Sequence, residues 1–187
     1  MSKFYTGRGD DGTTTLWRGR QRLPKYDLQP EAYGTVDEAQ AALGLARALA
    51  RRPRTRAMLL QVQRDLHALM AELALAPEAE QRPEPFPAER IAGLEKFLAE
   101  LAPEVARPEG FVVPGDSAAG AALDLARTVV RRAERIVTRL VHERGFASAQ
   151  AVPYLNRLSS LLFVLARAED AAGGSEDWTR TNAEERR

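Results

Sequence analysis

Residues 111–139 read FVVPGDSAAGAALDLARTVVRRAERIVTR, and this stretch decides the fold. Gly115, Asp116 and Ser117 follow a proline and precede a long apolar-periodic run, which is typical of a loop that enters a helix at an Asp or Ser cap. Helical spacing then predicts one buried face, made of Ala122, Leu125, Ala126, Val129, Ala133, Ile136, Val137 and Leu140. We therefore expect a chain built around one long amphipathic helix.

A charged stripe lies roughly opposite this apolar face, because a helix turns by about 100° per residue. It follows i, i+4, i+7 and i+11 spacing and consists of Arg127, Arg131, Glu134 and Thr138, flanked by Arg132, Arg135 and Arg139. Two arginines one turn apart, with a carboxylate beside them, suit the oxygens of a phosphate group. The same pattern is typical of the solvated side of a helix, so spacing alone leaves both interpretations open.

The bulk properties indicate one soluble domain over residues 1–187, large enough to bury a core. The formal net charge of +1 gives no general attraction to nucleic acid or membrane. Cysteine is absent, which excludes disulfides, thiolate metal sites and cysteine nucleophiles, and two histidines make no histidine-rich metal cluster. Because the sequence shows no apolar leader and no long apolar span, we expect a cytoplasmic protein.

Apolar periodicity predicts four further helices, and the fold class is therefore all-α, a five-helix bundle. The predicted helices cover residues 31–50, 55–76, 88–101, the central run ending at Gly145, and a last one from about Pro153. The bundle is expected over residues 31–170. Residues 1–30 form a non-helical loop and linker, and 171–187 form a frayed polar tail.

The N-terminal segment KFYTGRGDDGTTTLW, residues 3–17, combines three glycines with a run of threonines. Such a loop can direct backbone N–H groups and hydroxyls towards an anion, because glycine permits close approach. It is not a Walker A motif, since it lacks the Gly-Lys-Ser/Thr ending. Taken alone, the composition is more typical of an unstructured chain start, and Lys25 of an ordinary solvated lysine.

Several segments together carry a resemblance. PGDSAAGAALDLARTVVRRAER, followed after a gap by YLNRLSSLLFVLAR, resembles the C-terminal signature of the PduO-type ATP:cob(I)alamin adenosyltransferases. Near the N-terminus, Thr6, Gly9, Asp10, Gly12 and Thr14 fit the family's ATP-loop pattern T-x-x-G-D-x-G-x-T, and AYGTVDEAQAALGLARA is similar to its G-x-x-D-E-L segment. The resemblance covers the chain from Tyr5 to about Arg167.

The resemblance implies an enzyme that transfers the 5′-deoxyadenosyl group of ATP to the cobalt of a reduced Co(I) corrinoid. The products are adenosylcobalamin and inorganic triphosphate, and Mg²⁺ accompanies the ATP. The nucleophile belongs to the reduced cofactor, so the protein itself needs none. The family also implies a homotrimer with ATP between adjacent subunits, and as further partners a flavin-type reductase and an adenosylcobalamin-dependent enzyme.

The resemblance also implies roles for individual residues. Phe111 is expected to be the apolar wall that displaces the lower axial ligand of cobalt, with Arg127 and Arg131 as the other catalytic residues. Asp37 is expected to form a salt bridge to Arg127 across the subunit interface, and Glu134 to help hold Mg²⁺. The implied ATP contacts are Thr6, Gly7, Arg8, Gly9, Asp10, Gly12, Thr13, Thr14, Lys25, Arg131, Arg132, Glu134, Arg135 and Asn156.

The chain departs from the family pattern at Gly7, where Lys or Arg is frequent, at Ala39, where Leu is usual, and at three further positions. Gln29 stands where an arginine is usual, Asp116 where glycine is frequent, and Ser160 where an aspartate is usual. These last three departures support a second class, a non-catalytic carrier of ATP or adenosylcobalamin. A third class is a helical assembly protein without a ligand, in which the arginine stripe would serve only subunit contacts. ATP binding separates the assembly protein from the other two, and corrinoid-dependent triphosphate release separates the enzyme from the carrier.

Overall fold

The computed structural model describes residues 4–106, 108 and 110–174. The predicted all-α five-helix bundle is confirmed. The helices are α1 Leu28–Leu49, α2 Pro53–Leu73, α3 Glu89–Leu101, α4 Ala118–Arg144 and α5 Ala151–Ala172. Two short strands, β1 Thr13–Thr15 and β2 Arg22–Pro24, form an antiparallel hairpin before them, and a 3₁₀ turn follows α3 at Ala102–Glu104. Within the described residues, no helix is long and apolar enough to cross a membrane.

The ends of the central helix follow from local signals. The Ser117 hydroxyl accepts the Gly120 N–H at 2.9 Å, which caps the start of α4. At the other end Gly145 has φ 63°, a left-handed conformation that favours glycine. Both caps agree with the sequence prediction.

Other boundaries differ from the prediction. The carboxylate of Asp27 accepts the Gln29 N–H at 3.1 Å, so α1 begins at Leu28, inside the stretch predicted to be a linker. α5 begins at Ala151, before Pro153, and continues to Ala172, so the predicted polar tail starts later than residue 171. Residues 175–187 of that tail lie outside the described part of the chain.

Helix α4 lies between α1 and α5 and contacts both along their lengths, while α2 packs on α1 and α3 on α5. This sandwiched position explains one wrong core assignment: Leu125 is 54% exposed, whereas Leu123 and Val130 are fully buried. A helix covered on two sides buries a wider arc than a single apolar stripe. The other predicted positions hold, because Ala122, Ala126, Val129, Ala133, Val137 and Leu140 are buried and Ile136 packs against the core.

Two buried polar contacts fix the helices relative to one another. Glu169 of α5 is fully buried and accepts the backbone N–H groups of Arg51 and Arg52, at 2.8 and 3.2 Å, in the turn between α1 and α2. The Tyr154 hydroxyl donates to buried Asp65 at 3.1 Å. Burial, with the Asp65 carboxylate adding to it, raises the pKa of Tyr154 well above its ordinary value.

Candidate active site

The N-terminal loop is a hairpin shaped by local bonds. The Lys25 N–H donates to the Gly12 carbonyl at 2.9 Å, which closes the two strands on each other. Gly7 and Gly12 adopt φ values of 69° and 77°, in the left-handed region that favours glycine. The glycine-rich segment is thus a formed loop rather than an unstructured start.

Asp11 and Arg22 hold this loop together, and the sequence reasoning missed both. Asp11 Oδ1 accepts the N–H and the hydroxyl of Thr13 at 2.9 and 2.8 Å. Arg22 donates to the same Asp11 oxygen at 3.0 Å and to Thr13 Oγ1 at 2.7 Å. The Thr13 bonds, and then Arg22, lower the pKa of Asp11 to about 2. The Asp-x-Thr spacing, typical of an Asx turn, was a usable signal for Asp11.

Lys25 lies across the predicted ATP loop. Its Nζ donates to the Gly9 carbonyl at 2.7 Å, and a Cβ on Gly9 would lie only 2.9 Å from that nitrogen. The absence of a side chain at Gly9 therefore allows the ammonium group to approach the backbone. At the loop's start, the Arg8 N–H donates to Thr6 Oγ1 at 3.3 Å. The loop and the predicted lysine are thus brought together, with a cation beside backbone groups that can contact an anion.

Gln29 is a structural residue in this chain. It is buried, and its Nε2 donates to the carbonyls of Leu73 and Leu75 at 2.8 and 2.9 Å, at the end of α2. The Trp17 N–H donates to the Ala74 carbonyl at 2.8 Å in the same place. Gln29 thus joins the start of α1 to the end of α2, where Trp17 also attaches the hairpin segment, and its side-chain donor faces the protein interior.

The stripe on α4 meets α5 at one residue pair. Glu134 Oε1 accepts the amide Nδ2 of Asn156 at 2.9 Å, so the structure brings together the two predicted residues that come from different helices. Arg131 and Arg135 are exposed beside them, and the Arg135 Nη1 donates to the Arg131 carbonyl at 3.0 Å. Arg132 forms an ion pair with Glu38 of α1. Glu134 of the stripe thus contacts α5 and the flanking Arg132 contacts α1, so this side of α4 is not wholly solvated.

Arg127 is held within its own helix. Its Nε donates to Asp124 Oδ1 at 2.8 Å, one turn earlier on α4. Asp37, its expected partner across a subunit interface, is exposed on α1. An intersubunit Asp37–Arg127 bridge stays a prediction.

A buried polar network lies behind Arg127, and the sequence reasoning missed it. Arg167 of α5 bonds Asp124 at 2.6 Å and Asp170 at 3.0 Å. The Ser117 hydroxyl donates to Asp170 Oδ1 at 2.7 Å. Burial raises the pKa of Asp170; Ser117 and Arg167 oppose the increase, and the carboxylates of Asp116 and Asp124 add to it.

Phe111 lies in the loop before α4 and is 82% exposed. It is therefore not a hydrophobic residue that anchors the helix start in the core. Val113, two residues later, is exposed as well. The loop thus presents apolar side chains outwards, as a wall against an external ligand requires.

The described residues contain no group of three or more His, Cys, Asp or Glu side chains that could hold a metal ion. Glu134 is a single carboxylate, and its Oε1 accepts the Asn156 amide. Mg²⁺ in enzymes is often bound by one or two carboxylates together with substrate phosphates. Glu134 therefore fits an ion that arrives with a nucleotide, not a metal cage built from protein alone.

The hairpin and the stripe of one chain lie at different levels of the bundle. Arg144, at the end of α4, is 3.3 Å from Asp27 at the base of the hairpin. Arg131 precedes Arg144 by 13 residues on α4, which is roughly 20 Å along a helix axis. Ser117 caps the opposite end of α4, and Phe111 lies in the loop before it. One chain therefore presents the hairpin and the stripe as two separate surfaces, at different positions along the axis of α4.

Comparison with known proteins gives consistent matches. The family model described as cobalamin adenosyltransferase matches residues 4–169. The chain is 42% identical over 170 residues to the corrinoid adenosyltransferase PduO of Citrobacter freundii, covering 89% of this chain and 50% of that protein. It is 39% identical over 183 residues to the cobalamin adenosyltransferase of Cupriavidus metallidurans, covering 96% of each. The chain thus spans about half the length of the PduO relative and nearly all of the second relative.

A solved structure gives the same result. A phenylalanine-to-histidine variant of the PduO-type ATP:corrinoid adenosyltransferase from Lactobacillus reuteri, complexed with cobalamin and ATP, superposes with a TM-score of 0.84. That match has 30% sequence identity and covers 96% of this chain and 97% of the other. The fold, the family model and the relatives agree. The chain belongs to the cobalamin adenosyltransferase family.

Proposed function

We propose that this protein transfers the 5′-deoxyadenosyl group of ATP to the cobalt of a Co(I) corrinoid, giving adenosylcobalamin and inorganic triphosphate. The observation that carries the proposal is the Glu134–Asn156 contact beside Arg131, since it assembles the predicted ATP contacts from α4 and α5 in a chain of this family. The formed loop with Lys25 across Gly9 adds a second surface suited to phosphate oxygens.

The reaction makes specific demands on the protein. The cobalt attacks the 5′ carbon of ATP, a cobalt–carbon bond forms, and the bond to the triphosphate oxygen breaks with its electron pair on oxygen. The leaving triphosphate gains negative charge, so fixed cationic and N–H donors stabilise it. In this chain those donors are the loop of residues 6–14, Lys25 and Arg131. Mg²⁺ bound to the phosphates would supply further charge neutralisation, and Glu134 is the carboxylate that would help hold it.

We place the ATP between two copies of the chain in a homotrimer. Arg131 lies roughly 20 Å along α4 from Arg144, which contacts Asp27 next to the hairpin, so we expect the hairpin and the Arg131 that bind one nucleotide to come from different copies. Leu45 and Leu49 on α1 and Leu125 on α4 are exposed apolar side chains that a neighbouring subunit would cover. In such an assembly Asp37 of one subunit would pair with Arg127 of the next.

We assign Phe111 to the corrinoid side of the site. Its exposed ring is available to exclude the lower axial ligand from cobalt, which makes Co(II) easier to reduce. We expect Phe111→Ala to keep ATP binding and to lose most turnover with cob(II)alamin under reducing conditions. Unchanged turnover in that variant would remove Phe111 from the mechanism.

The decisive experiment is an anaerobic assay of chemically reduced cobalamin with MgATP, followed by the spectral change on formation of the cobalt–carbon bond. The wild type should turn over, and Arg131→Ala should lose at least about a hundredfold in kcat/KM, because a cationic donor to the leaving group is removed. Arg139→Ala is the matched control, an exposed arginine on the same helix paired with Glu143, and should keep activity.

A carrier of ATP or adenosylcobalamin is the second candidate. It is favoured by Gln29, whose side-chain donor faces the interior instead of a phosphate. ATP binding in a calorimeter without triphosphate release would establish the carrier, and no ATP binding would leave a helical assembly protein. A cytoplasmic location, a flavin-type reductase and an adenosylcobalamin-dependent partner enzyme stay predictions.

A further inference from the structure

Asp124 is a buried carboxylate on the second turn of α4, and it bonds two arginines at once. Its Oδ1 accepts Arg127 Nε at 2.8 Å and its Oδ2 accepts Arg167 Nη2 at 2.6 Å. The Asp124 side chain is 4% exposed, and that of Arg127 is 26% exposed. A buried carboxylate is tolerated only when it is paired and fully hydrogen-bonded. Folding therefore fixes the positions of both arginines around it.

The second arginine cannot easily move, so Asp124 is itself fixed. Arg167 also contacts Asp170 at 3.0 Å, and its guanidinium carbon lies 5.4 Å from the centre of the Phe163 ring. Asp170 is held in turn by Ser117, and a Cβ on Gly120 would lie 1.9 Å from its Oδ1. α4 and α5 are thus in close contact at this level, with no room to slide. Asp124 Oδ1 is therefore a rigid acceptor for Arg127.

Asp124 Oδ1 determines the orientation of the Arg127 guanidinium group. The guanidinium group is planar, so a bond at Nε sets the plane in which the two terminal nitrogens lie. An arginine that is already oriented loses less conformational freedom when it binds an anion than a solvated arginine does. Arg127 is the first arginine of the stripe, one turn before Arg131. Its orientation is thus established before any nucleotide arrives.

We propose that Asp124 is a positioning residue for adenosyl transfer: through Arg127 Nε it holds the Arg127 guanidinium in the orientation that the nucleotide site requires. The inference rests on the proposed function, because it takes Arg127 to belong to the nucleotide site between two subunits, where Asp37 of the neighbouring subunit would also face its terminal nitrogens. Asp124 itself touches neither ATP nor corrinoid, and it acts only through Arg127.

The test compares Asp124→Asn with Asp65→Asn in the anaerobic transfer assay. Asp65 is the matched control, because it is a buried aspartate, 5% exposed, that is paired with Arg90 and bonded to Gln61 and Tyr154, all of which lie outside the stripe. Asp124→Asn should lower kcat/KM for ATP by about tenfold or more. Asp65→Asn should stay within about threefold of wild type at a temperature where both variants are folded. Equal losses in the two variants would overturn the proposal, because they would reflect general destabilisation.

A double-mutant cycle with Arg127→Ala separates positioning from stability. If Asp124 acts through Arg127, Asp124→Asn combined with Arg127→Ala is no slower than Arg127→Ala alone. Losses that multiply would show a separate role for Asp124 and overturn the proposal.

If Asp124→Asn does not fold, Arg127→Lys replaces it, since lysine keeps the charge but has no Nε–H to be oriented. That variant should resemble Arg127→Ala, and full activity would overturn the proposal.

If the wild type binds ATP without turnover, the proposed function is wrong but the positioning role of Asp124 is still testable, and the tenfold comparison is then made on the calorimetric Kd for ATP. If the wild type binds no ATP, both proposals are wrong.

Discussion

The N-terminal hairpin and the α4–α5 layer both hold predicted site residues, but they do so by different means. In the hairpin, Asp11, Arg22 and Lys25 are exposed, and they bond neighbours within the same short segment. In the α4–α5 layer, Asp124 and Arg167 are at least nine-tenths buried and join two helices far apart in the sequence. The first arrangement is local and solvated, and the second depends on tertiary packing.

This difference has an energetic consequence. Exposed ion pairs contribute about 0–1 kcal/mol each, so the hairpin can rearrange at low cost when a ligand arrives. A buried ion pair that loses one partner costs about 3–5 kcal/mol. The α4–α5 layer is therefore rigid, while the hairpin can adapt to a ligand. Substitutions in the two regions should have different effects on stability.

The largest effect is expected where α4 meets α5. Gly120→Ala would place a Cβ 1.9 Å from Asp170 Oδ1, and that atom belongs to a short, bonded side chain that cannot move aside. We expect a loss of about 3 kcal/mol or more in the free energy of unfolding, because the helices must separate or the network must break. Urea denaturation measures this loss.

Gly93→Ala in α3 is the control for helix propensity, because nothing lies within 4 Å of a Cβ there. It should raise the free energy of unfolding by about 0.5–1 kcal/mol. Similar values for the two glycine variants would contradict the tight α4–α5 contact.

A smaller loss is expected at the junction between the two regions. Gln29→Met would leave the carbonyls of Leu73 and Leu75 without their shared donor, at a cost of about 1–3 kcal/mol. Because Trp17 bonds the same end of α2, the hairpin should also become more susceptible to proteolysis. Gln21→Met, at an exposed position, should change stability by less than about 0.5 kcal/mol. No difference between the two variants would show that Gln29 is not a structural link.

Much of the fold was predictable because its signals are local. The caps at Ser117 and Gly145 depend on residues next to the helix ends, and apolar periodicity located all five helices. Leu125 was assigned wrongly because the buried arc of α4 depends on α1 and α5 together, which periodicity does not contain. The short β1–β2 hairpin was missed because its strands of three residues are too brief to show alternation.

The site was predictable where a family pattern exists and not elsewhere. Resemblance indicated Lys25, Glu134 and Asn156, and the structure brings Lys25 to the loop and Asn156 to Glu134. Asp124 and Arg167 are separated by 43 residues, and each alone looks like an ordinary charged residue on a helix. Only packing shows that they are buried together, so local sequence patterns could not identify them.

The buried layer should also show a pH signature. Because the folded protein binds the Asp170 proton more tightly than the unfolded chain, the stability that this group contributes falls as the pH rises from 3.8 through its higher folded pKa. Asp170→Asn removes this titration, so the stability deficit of the variant relative to wild type should shrink as the pH rises above 3.8. Urea titrations at several pH values measure the deficit. A deficit independent of pH would contradict the raised pKa.

The smallest effect on stability is expected in the hairpin. Arg22→Ala removes bonds to Asp11 and Thr13, but all three residues are at least partly solvated, so the free energy of unfolding should fall by less than about 1 kcal/mol. The pKa of Asp11 should rise only part of the way from about 2 towards 3.8, because the Thr13 bonds are its first cause. NMR titration of the Asp11 carboxyl measures this pKa, with Arg20→Ala as the exposed control that leaves it unchanged.

The same Arg22→Ala variant separates loop geometry from global stability. Since the loop would be less ordered before binding, its affinity for MgATP should fall severalfold while the thermal midpoint stays close to that of wild type. In the α4–α5 layer a comparable loss of affinity would come with a lower thermal midpoint, because the same contacts hold the helices together. If Arg22→Ala lowers the thermal midpoint as much as Gly120→Ala does, the hairpin is part of the cooperative core and the contrast between the two regions is wrong.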